Sequence, residues 1–128
     1  MNIYTSYFAN IKNIPSNMVT IAICGKSPDW YTGLEYKKLA PKYGFFMQWK
    51  EDHDNDKYIE CFEKEVLEPL IFEEVIKDLL LLSGNMKGLN YLPDIVLLCF
   101  EHPGKFCHRH LVADWFCKNG ITVEELDI

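Results

Sequence analysis

Two runs of the chain are apolar, or mostly so, on consecutive positions. VTIAIC over residues 19–24 and IVLLC over 95–99 are continuous and rich in β-branched and aliphatic side chains, which predicts strands buried on both faces. Ile3, Tyr4, Thr5 and Tyr7 predict a first strand, and ITVEEL near the end predicts a short last one. Helical spacing replaces this pattern elsewhere. Tyr58, Cys61, Phe62 and Val66 predict a helix over 57–67, with the turn HDND at 53–56 as its cap. Pro69 interrupts, a second helix is predicted over 72–82, and Ser83-Gly84-Asn85 supplies its stop. Pro41 allows a helix only at or after its own position. The last helix, over 107–118, shows Leu111, Val112, Trp115 and Phe116 on its buried face and ends at Asn119-Gly120. The stretches GKSPDWYTG and MKGLNYLPD read as loops.

Strands alternating with helices predict an α/β fold: a single compact domain over residues 1–128, with a mostly parallel central sheet of three to four strands flanked by helices. There is no internal repeat or low-complexity tract.

Charge narrows the partners. A formal net charge of −6 disfavours nonspecific nucleic-acid binding, which needs a basic face. Local clusters of Lys37, Lys38 and Lys42, and of Lys105 and Arg109, remain compatible with one phosphate-bearing ligand. No apolar run approaches the length of a membrane span, and no apolar segment follows a basic start, so neither membrane insertion nor a signal peptide is expected. Five cysteines at spacings that match no disulfide framework suit reduced thiols in a cytoplasm.

The chemistry concentrates in EHPGKFCHRHLVADW, residues 101–115. Ligands of open α/β sheets collect beyond the carboxyl ends of the strands. Cys99 and Glu101 leave such an end, and Cys107, His108 and Arg109 open the following helix. Cys107 lies one turn before Leu111, and His108 one turn before Val112, so both face the strand ends. His110 aligns with Asp114, for a pair on the surface. A helix N-terminus favours an anion, either a thiolate at Cys107 or a bound phosphate that Arg109 also contacts. His108 can carry a proton near neutral pH. The same residues also admit structural roles: Cys99 as a small core residue, Cys107 as an inert helix start, His108 as a hydrogen-bonded core histidine and Arg109 as a surface ion-pair partner. A Cys99–Cys107 disulfide is conceivable and would act as a redox switch. Metal binding is not expected, because adjacent residues of a helix rarely converge on one ion and no short-spaced second pair exists. Lys26 and Trp30 in the loop after the second strand, with Tyr4 and Ser6 of the first, are further candidates for the crevice. GKS alone is not a phosphate-binding loop, since the upstream glycine is missing.

LLCFEHPGKFCHRHLVADW, residues 97–115, resembles the signature of the domain of unknown function 488 family: a strand ending in Cys, then Glu, then Cys-His-Arg opening a helix. LAPKYGFFMQW with HDNDKYIECFEKEVL, residues 39–67, is similar to a Leu-Ala-Pro segment and aromatic-rich helix in part of that family, and IYTSYFAN is similar to its Tyr-Thr strand. Many members carry a Gly-His-Ser turn where this chain has Ser6-Tyr7-Phe8. The resemblance implies a compact α/β fold and a site around Cys99, Glu101, Cys107, His108 and Arg109, with no particular reaction.

Three functions are compatible with these residues. The first is an enzyme, hydrolase or transferase, acting on an anionic or nucleotide-like small molecule. In it Cys107 or His108 does nucleophilic or acid–base work, Glu101 orients or accepts a proton, and Arg109 holds the anion. The second is a non-catalytic module that binds or sequesters such a ligand. The third is a thiol redox protein using Cys99 and Cys107.

Overall fold

The computed structural model describes residues 2–87, 93–101 and 104–126. The loop expected over 88–92 and the His102-Pro103 turn lie outside them. Among the described residues five strands form one sheet: β1 (Ile3–Tyr7), β2 (Val19–Ala22), β3 (Leu34–Glu35), β4 (Ile95–Cys99) and β5 (Val123–Glu125), in the order β3-β2-β4-β1-β5. Every pairing is parallel. The sheet therefore exceeds the expected three to four strands, because β3 is two residues long and too short to show a period.

β4 lies at the centre and is buried along its whole length, as its unbroken apolar run requires. Its alternate side chains serve two cores. Ile95 and Leu97 join Ile3, Val19, Ile21 and Ile23 on the face covered by α1 (Tyr43–Asp52), α2 (Asn55–Phe62), α3 (Phe72–Lys87) and α4 (His108–Lys118). Val96 and Leu98 join Phe8, Ala22 and Cys24 on the opposite face. That face is covered by a 3-10 turn, Phe8–Asn13, and by flanking residues such as Ile14, Met18 and Tyr31.

Helix boundaries follow local chemistry. His53, at φ 51°, ends α1, and Asp54 caps α2 by accepting the Lys57 backbone N–H at 3.1 Å. A π-type turn, Glu63–Leu67, extends α2. The stop expected at Ser83-Gly84-Asn85 does not form, and α3 continues to Lys87. Ser83 is buried and returns its hydroxyl to the Leu80 carbonyl at 3.2 Å, so it is satisfied inside the helix instead of ending it. Gly120, at φ 92°, turns the chain from α4 toward β5. Among the described residues, no helix is long and apolar enough to cross a membrane.

Candidate functional site

The chain leaves β2 outward to β3 and leaves β4 in the other direction to β5. Between adjacent parallel strands whose connections diverge in this way, a crevice opens beyond the carboxyl ends. A cleft of about 750 Å³ lies here, with Cys24 from the end of β2 and Cys99 from the end of β4 among its lining. Phe46, Met47, Trp49 and Lys50 of α1 contribute to its walls, together with Tyr58 of α2 and Phe106. Trp49 stacks on Phe106 with ring centroids 5.5 Å apart, and Tyr58 meets Phe106 edge-on at 5.0 Å. Lys26, Phe100 and Glu101 complete the lining named here, all three exposed.

Cys107 and His108 also line this cleft, and both are buried. Cys107 is the N-cap of α4, with an extended backbone at φ −152°, ψ 142°, and the helix proper starts at His108. That extended residue lets two neighbouring side chains point the same way. Cys107 Sγ lies 4.0 Å from His108 Nδ1. His108 Nε2 is 2.6 Å from the Ile23 carbonyl oxygen, which can only accept, so in the neutral ring the proton sits on Nε2 and Nδ1 presents its lone pair. Burial, reinforced by the Arg109 charge, pushes the His108 pKa down to about 4, and the ring is neutral at physiological pH.

Cys99 and Cys107 are joined as a disulfide, with Cα atoms 7.4 Å apart. This pairing departs from the expectation that all cysteines are reduced; Cys24, Cys61 and Cys117 are free. Burial raises the Cys24 thiol pKa, with Ser27 and Lys37 opposing it, which disfavours a thiolate there.

Arg109 is fully buried. Its Nε and Nη2 donate to the two Glu125 carboxylate oxygens, each at 3.0 Å, in a bidentate fork. Nη1 donates to Cys99 Sγ at 3.2 Å and to the Glu101 carbonyl at 2.6 Å. The Tyr7 ring lies 5.8 Å from the guanidinium carbon. Arg109 thus ties β5, the end of β4 and the Glu101 backbone together from beneath the site.

Of the residues expected at the crevice, Cys99, Glu101, Cys107, His108 and Lys26 meet at the cleft. Arg109 supports it from behind. Tyr4, Ser6 and Trp30 do not line it. Tyr4 packs with the core that contains Phe8, Ser6 is buried and accepts from Asn10 Nδ2 at 3.2 Å, and Trp30 meets Phe8 edge-on at 6.2 Å. His110 is half-buried, where Arg109, Glu125 and Asp114 act on its charge, and burial lowers its pKa. Cys24, Lys50, Trp49 and Phe106 were missed as site residues. The cluster of aromatic residues just after Pro41 was the available signal for the α1 wall.

A family model described as the active DUF488-N3 subclade matches residues 14–120. The chain belongs to the DUF488 family. In this DUF488 protein the matched segment contains all the described lining residues of the cleft, from Cys24 to His108. No curated protein and no solved structure matches the chain.

Proposed function

We propose that the cleft is the active site of an enzyme, of hydrolase or transferase type, acting on a nucleotide-like anionic small molecule. One observation carries this reading: a cleft of about 750 Å³ at the carboxyl ends of β2 and β4 sets Cys107 and His108 beside aromatic walls. Its volume suits a small-molecule ligand, and its apolar walls with few polar groups match the usual make-up of such sites. Trp49, Phe106 and Tyr58 offer faces and edges to a flat ring. Exposed Lys26 and Lys50 supply positive charge for a phosphate. Arg109 is committed to Glu125, Cys99 and Glu101, so the anion falls to these lysines and Arg109 becomes a positioning residue. Once a dithiol has reduced the Cys99–Cys107 disulfide, Cys107 and His108 form the reactive pole, and Glu101 accepts a proton.

The test is a panel of nucleosides and nucleoside phosphates, read by thermal shift and by mass spectrometry of the products. A phosphorylated member is expected to raise the melting temperature and to be converted. Stabilisation without product leaves the binding module standing, and no shift with any member overturns the reading. The Cys99–Cys107 pairing favours a second reading, a thiol redox protein. It requires one dithiol equivalent to be oxidised per turnover, and product formation without that consumption rejects it.

A further inference from the structure

We propose that, when reduced, Cys99 and Cys107 join His108 in binding one zinc ion whose fourth position opens into the cleft. The two Sγ atoms and a ring nitrogen of His108 all lie within 4.8 Å of one another, and all three residues are buried. The argument against a metal was that neighbouring helix residues diverge. Cys107 is extended and outside the helix, which removes that objection.

Three further features fit a metal site. His108 gives its Nε2–H to the Ile23 carbonyl, which orients the ring and leaves Nδ1 toward the sulfurs, the arrangement by which metal-ligating histidines are commonly held. Arg109 Nη1 donates to Cys99 Sγ and so stabilises a thiolate there. The Cα atoms of the two cysteines are 7.4 Å apart, outside the roughly 4.4–6.8 Å usual for a disulfide. An ion between the sulfurs, each about 2.3 Å from it, relieves the need for them to touch. Two thiolates and an imidazole select zinc over the hard cations.

The protons and electrons balance as follows. A dithiol reductant gives two electrons and two protons to the Cys99–Cys107 disulfide, itself becoming a disulfide. Binding Zn²⁺ then releases the two thiol protons, and two thiolates with a neutral imidazole leave the centre uncharged. Metal binding stands on these donors alone. Its catalytic meaning rests on the proposed function: a zinc-bound water facing the cleft is the nucleophile, Glu101 is its proton acceptor, and Cys107 is a ligand instead of attacking.

The experiment is metal loading of the whole chain purified under reductant. One equivalent of zinc is expected by elemental analysis. Cobalt(II) substitution is expected to give the thiolate charge-transfer band and the intense visible bands of a tetrahedral site. Cys99→Ser, Cys107→Ser and His108→Gln should each weaken zinc by more than the roughly 10- to 100-fold typical of losing an outer-shell partner. Substoichiometric zinc, a cobalt spectrum without thiolate bands, or equal zinc affinity in Cys107→Ser overturns the proposal. The cobalt spectrum is taken on the unaltered protein, so a variant that misfolds does not decide the matter. Nucleotide thermal shifts on metal-free protein separate the two ideas: a shift without metal uptake sinks the zinc site alone, whereas zinc uptake with no nucleotide shift sinks only the substrate reading.

Discussion

A guanidinium without solvent must have its charge and its donors answered inside the fold. For Arg109 the answer is Glu125, whose side chain is itself 26% exposed. Removing the carboxylate leaves a buried cation, which typically costs about 3–5 kcal/mol, reduced here by water at the Glu125 side to about 2–4 kcal/mol. Glu125→Ala should therefore lower the urea midpoint steeply, and an unchanged midpoint would contradict the pairing. A second pair reports on pH. The Tyr36 hydroxyl donates to Asp78 at 2.5 Å and holds that carboxyl below its usual pKa. A lowered folded-state pKa stabilises above the unfolded value, about 3.9, and this contribution disappears as pH falls through the folded value. Tyr36→Phe should cost about 1 kcal/mol at neutral pH and flatten the acid limb of a stability-versus-pH curve. At this scale the sequence was partly legible. The inward turn of His108 agrees with its spacing to Val112, whereas Cys107 reaches the cleft through an extended backbone outside the helix that periodicity does not describe. The burial of Arg109 did not, because arginine is rarely fully buried and its partner lies 16 positions away.

Elements were readable where they were long and periodic. β4 and α4 are the elements expected, whereas β3 has too few residues for any pattern. The cleft walls needed the fold, since Trp49 meets Phe106 across 57 positions by tertiary packing alone. If that aromatic wall stacks a ligand ring, Trp49→Ala should weaken a nucleotide by about 1–3 kcal/mol, seen by calorimetry, with a smaller effect on melting because Trp49 is only half-buried. Equal nucleotide affinity would remove Trp49 from the site. The start of α2 gives a separate check. Asp54→Ala removes the bond to the Lys57 amide and should cost about 1 kcal/mol in thermal unfolding.

For the whole molecule, strand order decides where chemistry collects. Divergent connections from β2 and β4 create the crevice, and the helices placed on one face raise a wall beside it. The net charge of −6 opposes anions in general, while Lys26 and Lys50 attract one locally. Nucleotide affinity should accordingly fall as salt rises, measured by titration at several ionic strengths, and a salt-independent affinity would argue against the lysines. β5 is three residues long and lies at the sheet edge, yet Glu125 within it holds the guanidinium that touches Cys99 sulfur. Fraying of that edge therefore releases Arg109 and alters the sulfur in one event. The rate at which a reductant opens the Cys99–Cys107 disulfide and amide hydrogen exchange in β5 thus become two clocks reading the same opening.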